Sequence, residues 1–126
     1  MKYFELELNG KVIRFRLTTS ECISLEEKNK CKMLDFIRDY SHTTLVTLLQ
    51  SLRKAEVPNF SKADACNLMD ELIDNGYTLE TILYDVIYKA LVVSGFLTKE
   101  EVDQMKKQTE ELLQIAENEQ KQIIQK

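Results

Sequence analysis

The stretch from Thr78 to Leu97, TLETILYDVIYKALVVSGFL, constrains the fold more than any other part of the chain. Leu79, Ile82, Leu83, Val86, Ile87, Ala90 and Leu91 recur at the three-and-four spacing of one helical face. Glu80, Thr81, Asp85 and Lys89 form a narrow polar strip down the other side, with Asp85 and Lys89 placed as an i,i+4 pair. Past Lys89 the strip gives way to Val92 and Val93, so the last turns are expected to be wrapped by protein. Thr78 suits the start of this helix as an N-cap, and Gly95 suits its end in the left-handed conformation. A helix this apolar must be covered, and the other elements are expected to pack against it.

The N-terminus carries a different period. Phe4, Leu6 and Leu8 alternate with Tyr3, Glu5 and Glu7, and after Asn9-Gly10 the residues Ile13, Phe15 and Leu17 alternate with polar neighbours. Asn-Gly favours a type I′ turn, which needs positive φ at both positions, so the two runs read as a hairpin. A two-residue turn sets Leu6 opposite Ile13, Phe4 opposite Phe15, Glu5 opposite Arg14 and Tyr3 opposite Arg16. Hydrophobes then meet hydrophobes and opposite charges meet. A lone hairpin is marginal in water, so its apolar face must pack on helices or join another sheet. Its two edges are open to pairing with another chain.

From Thr18 onward the pattern is helical. Thr18 with Glu21 and Thr98 with Glu101 fit the capping box, Ser61 with Asp64 is a near relative, and Thr78 and Ser41 are further start signals. Tyr77 with Ile82 and Leu97 with Val102 are placed as hydrophobic staples. These signals predict helices over about 19–30, 42–54, 62–75, 79–94 and 99–118. Met33, Leu34, Phe36 and Ile37 are expected to form a short helical turn that drops into the core. Ala55 to Phe60 holds the single proline, Pro58, and reads as a loop. The expected fold is mainly α with an N-terminal β-hairpin (α+β), about five helices packed on one central helix. The hairpin and helical core occupy 1–97, and a C-terminal amphipathic helix with a polar tail occupies 98–126.

Composition narrows the function classes. A net charge of −4 and a pI near 5.1 have the wrong sign for a general nucleic-acid binder. The charge is uneven: residues 1–55 carry ten basic and seven acidic groups, while 56–88 carry seven acidic groups and only Lys62 as a base. Cys22, Cys31 and Cys66 are odd in number and form no CxxC pair, so they read as reduced thiols, with Cys66 a small core residue on an apolar helix face. The start MKYFELELNG is unlike a secretory leader, and no apolar run approaches the ~20 residues of a membrane span. The expected protein is soluble and intracellular.

No catalytic constellation emerges. His42 is the single histidine and is expected to be exposed at a helix start beside Ser41 and Thr43. With Gly10, Gly76 and Gly95 alone there is no glycine-rich phosphate loop, and neither a metal-ligand cluster nor a cofactor motif is present. Carboxylate pairs such as Glu26-Glu27, Glu100-Glu101 and Glu110-Glu111 sit on surface-helix patterns. The informative polar segment is the last helix, where Val102, Met105, Thr109, Leu112 and Ala116 make a thin heptad stripe. A stripe this narrow suits docking on one neighbour, in the same chain or in another, so the helix reads either as a surface helix of the same domain fraying into a polar tail or as a partner-binding helix. Val102, Met105, Leu112 and Leu113, with Ile123 and Ile124 beyond, are the candidate partner-binding residues, through helix-in-groove or coiled-coil contacts.

The layout resembles a family. FELELNGKVIRFRLT, a helix with SLEEKNK, the Leu-rich TLVTLLQSLRKA, a short loop, SKADACNLMDELIDNGYTLETI and the closing ALVVSGFL are similar to the tail assembly chaperones of long-tailed phages and prophages. The likeness covers about residues 3–97 and rests on element order, the NGK hairpin and SGF. The resemblance implies a non-enzymatic chaperone that binds the tape measure protein, keeps it soluble and helps recruit tail tube subunits. It implies action in the cytoplasm of a bacterial host and absence from the mature virion, and self-association into homo-oligomers through the hairpin edges or terminal helices is a further expectation. A small helical adaptor or regulatory protein-binding module unrelated to virions is the alternative that the same residues allow.

Overall fold

A computed structural model describes residues 2–37 and 41–124 of the chain, with side chains described at 2–37, 41–111, 114 and 115. The chain opens on an antiparallel hairpin of β1 (Phe4–Leu8) and β2 (Lys11–Phe15). Asn9 and Gly10 hold φ of 53° and 77°, both positive, as a type I′ turn requires. The register follows from that turn: Leu8↔Lys11, Leu6↔Ile13, Glu5↔Arg14 and Phe4↔Phe15. The ladder ends there, so Tyr3 and Arg16 are not paired in it. The Arg16 guanidinium donates instead to the Lys2 carbonyl at 2.7 Å.

Helices follow: α1 (Thr19–Asn29), α2 (Met33–Phe36), α3 (His42–Arg53), α4 (Lys62–Asp74), α5 (Leu79–Ile82), a π-helical turn (Leu83–Ile87), α6 (Tyr88–Val93) and α7 (Lys99–Ile124). Hydroxyl caps start five of them. Thr18, Ser41, Ser61, Thr78 and Thr98 accept the N–H three residues on, at 3.2, 3.2, 3.0, 3.2 and 3.1 Å. Asp64 and Glu101 return the bond to the N–H of Ser61 and Thr98, completing both boxes. The Ser61 N–H, and then its hydroxyl, hold the Asp64 carboxyl below the usual carboxylate range. That cap is therefore intact at neutral pH and weakens only as the pH falls through the lowered value. At Thr78 the return bond comes from Thr81, whose Oγ1 accepts the Thr78 N–H at 2.7 Å. Thr78→Ala is expected to lower stability by about 1 kcal/mol, read as a shift in urea midpoint at constant slope.

Two compact units result, Met1–Phe96 and Leu97–Lys126. In the first, α3 buries Leu45, Leu48, Leu49 and Leu52, and α4 contributes Ala65, Leu68, Met69 and Leu72. The segment 82–91 is buried at Ile82, Leu83, Tyr84, Val86, Ile87, Tyr88, Ala90 and Leu91, which leaves Asp85 half-buried and Lys89 exposed. The hairpin is fastened at its exit. Arg16 N–H donates to the Leu52 carbonyl at 2.9 Å, and Leu17 N–H to Ser94 Oγ at 2.9 Å. Phe15 and Leu17 are fully buried. The fold is a small α+β domain, mainly helical behind an N-terminal hairpin.

Several expectations are corrected. The helix of 79–94 is interrupted: Tyr88 N–H reaches Leu83 O, an i→i+5 bond that widens one turn by a residue. That insertion breaks the i,i+4 alignment, and Asp85 and Lys89 make no ion pair among the described residues. Val92 and Val93 are half-buried rather than enclosed. The short turn at α2 buries Met33 and Ile37 but leaves Phe36 half-buried and Leu34 40% exposed. Cys66 is exposed. The buried positions of α4 are 65, 68, 69 and 72, and Cys66 sits one residue, about 100° of helix, away from that face. At the end of α6 the expected glycine does close the helix: Gly95 (φ +86°) lets Phe96 N–H reach Leu91 O at 2.9 Å and its own N–H reach Val92 O at 3.0 Å.

Candidate partner-binding surfaces

The six candidate residues on the last helix fall into two groups. Val102 and Met105 lie in the first turns of α7 and are each 8% exposed. Leu112, Leu113, Ile123 and Ile124 are helical, and their side chains fall outside the described ones. Thr109, on the same stripe, is half-buried and turns its hydroxyl back to Met105 O at 3.0 Å. Ile115, off the stripe, is 55% exposed. The helix itself is long because Glu, Lys and Gln, which dominate 106–122, are good helix formers.

The hairpin offers a second surface. Leu8 and Lys11 close the turn as a hydrogen-bonded pair, so pairing alternates away from it. The main-chain groups of Leu8, Leu6 and Phe4 point to β2, and those of Glu7 and Glu5 point away. On β2 the outward groups belong to Val12, Arg14 and Arg16. Two of these are already used. Arg53 donates to the Arg14 carbonyl at 2.7 Å, and Arg16 N–H donates to Leu52 O. At Arg14 and Arg16 the β2 edge is therefore covered by the end of α3, while Val12, next to the turn, keeps its outward groups unbonded among the described residues. On β1 the outward N–H and C=O of Glu5 and Glu7 bond to nothing among the described residues. The sequence suggested two open edges; the structure leaves β1 open. Arg53 carries no motif and lies 39 residues from Arg14, so no local signal announces that contact.

A groove of about 280 Å³ runs beside the hairpin, with Ile13, Phe60 and Leu68 as its apolar lining. Three of its four charged side chains are engaged, Lys11 being the exception among the described residues. Arg53 lies 5.3 Å over the Phe60 ring and 3.3 Å from Glu56, Asp64 is tied to Ser61, and Glu71 accepts from Asn9 at 3.0 Å. Exposed large hydrophobes are scattered singly: Val12, Ile23, Leu34, Ile73 and Ile115. Burial, with Glu26 adding to it, pushes the Cys22 thiol up, and its S–H lies 3.6 Å from Met33 Sδ. It is a protonated packing group at neutral pH. His42 is exposed at the first position of α3. Among the described residues no group of His, Cys, Asp or Glu could hold a metal, and no helix is long and apolar enough to cross a membrane. Comparison of the chain with family models, with curated proteins and with solved structures finds no match.

Proposed function

We propose that this chain is a non-enzymatic tail assembly chaperone of a long-tailed phage or prophage. It binds the tape measure protein, keeps it soluble in the host cytoplasm and helps recruit tail tube subunits, and it is left out of the finished virion. What supports this reading is the resemblance of residues 3–97 to such chaperones in the order of elements, with an NGK hairpin and a helical domain closing in SGF. A tape measure is a long chain with apolar stripes, and a client of that kind needs a repeated apolar surface to lie on. The far half of α7, from Leu112 and Leu113 to Ile123 and Ile124, supplies apolar side chains on a helix otherwise rich in Glu, Gln and Lys. Self-association would multiply weak contacts along one client.

The test mixes purified protein with tape measure fragments and measures molar mass in solution. Soluble co-complexes are expected, and Leu112→Asp with Leu113→Asp is expected to weaken them about tenfold or more, by placing charge where apolar contact is needed. Binding that those substitutions leave unchanged would move the client site off this helix. A chain that stays single and ignores every tail component would end the proposal.

A further inference from the structure

We infer that the open edge of β1 is a strand-addition site for an extended segment of another polypeptide in which Lys or Arg alternates with apolar residues. The inference does not rest on the tape measure reading; it rests on hydrogen-bond direction and charge at one strand. Glu5 and Glu7 point two N–H and two C=O groups outward with no partner among the described residues, whereas the equivalent edge of β2 is covered at Arg14 and Arg16 by Arg53 and Leu52. An unpaired edge supplies main-chain affinity, and the side chains on either face then set which strand can be added.

Both faces specify the occupant. On the outer face Glu5 and Glu7 are exposed. Glu5 meets Arg14 at 3.3 Å across the hairpin, while Glu7 faces Val12 and has no ion-pair partner among the described residues. A basic residue on an incoming strand would sit directly opposite a carboxylate, which is the favourable cross-strand pair. On the inner face Phe4 and Leu6 are only half-buried, so apolar residues at the alternate positions would extend their cover. A second copy of this chain fits badly. Pairing β1 with β1 antiparallel sets Glu5 opposite Glu7, or either opposite itself, and like charges opposite each other repel. Pairing β1 with the β2 of another copy meets the edge that α3 already covers at Arg14 and Arg16. Edge carboxylates of this kind reject self-pairing while admitting a basic strand.

The test uses the full isotopically labelled chain and a synthetic peptide with the sequence of residues 11–17, KVIRFRL, which carries the required alternation. Expected is saturable binding, with slowed amide exchange at Glu5 and Glu7. Glu5→Lys with Glu7→Lys should weaken it about tenfold, and Glu7→Lys alone, which breaks no internal ion pair, about threefold. The single variant keeps the result readable if the double variant loses its hairpin. A peptide with Glu in place of both Arg residues, or one N-methylated on alternate amides, should not bind. No saturable binding to the parent chain overturns the inference. So does binding that is indifferent to charge reversal at Glu7, or that leaves the Glu5 and Glu7 amides unprotected.

Discussion

Phe15→Ala is expected to cost about 3–5 kcal/mol, the range for emptying a fully enclosed aromatic site. Phe15 has no exposed surface, and its ring centroid lies 6.2 Å from that of Phe4 across the hairpin. It is also the last residue of β2, next to the Arg16 bond to Leu52 and two residues before Leu17, which is itself fully buried. A cavity there would loosen the hairpin where it is fastened to α3 and α6. Total stabilities of domains this size are typically about 5–15 kcal/mol, so the variant should sit close to unfolding. The control is Val12→Ala on the same strand. Val12 is 55% exposed, and its loss should change stability by no more than about 0.5 kcal/mol. Urea unfolding of both variants reads the difference directly. Equal costs for the two would mean that the hairpin is not packed through Phe15.

What the sequence could announce was written in short-range devices. An Asn-Gly turn between alternating runs sets a register by itself, and that register is observed from Leu8↔Lys11 to Phe4↔Phe15. Hydroxyl caps act within three residues, which is why Thr18, Ser41, Ser61, Thr78 and Thr98 mark helix starts wherever the helices pack. The features that escaped depend on distant partners. The covering of the β2 edge at Arg14 depends on Arg53, and the exposure of Cys66 on which face of α4 meets α3. The π turn sits in a run whose apolar spacing is that of an ordinary α-helix, and Tyr84 and Tyr88, stacked at 5.7 Å, are buried on it as well.

These distinctions bear on how the surfaces would be used. At the strand edge, the Glu5 and Glu7 main-chain groups are directed away from their own hairpin by the pairing that builds it, and they bond to nothing among the described residues.

The π turn supports a sharper experiment, a pair of single-residue deletions in one helix. A helical residue advances the chain by about 100°, so deleting Lys89 from α6 would rotate Ala90 and Leu91 against everything before them. Both are fully buried, and the rotation would also carry the Gly95 closure and the Ser94 hydroxyl that holds Leu17 N–H out of place. The loss should exceed about 5 kcal/mol, combining buried apolar surface with unsatisfied main-chain groups, and leave the chain unfolded. Deleting Asp85 is expected to behave differently. Asp85 lies inside the widened turn, half-buried, and the i→i+5 bond from Tyr88 to Leu83 shows that this turn already holds one residue more than an α-helix needs. Its removal lets the turn close as ordinary α-helix while Ile82 before it and Tyr88, Ala90 and Leu91 after it keep their faces. The expected cost is about 1–3 kcal/mol, from local repacking of Tyr84 and Val86. Circular dichroism and thermal melting distinguish the two outcomes. If the Asp85 deletion is as damaging as the Lys89 deletion, the extra residue is held by the packing around it rather than accommodated by one slack turn.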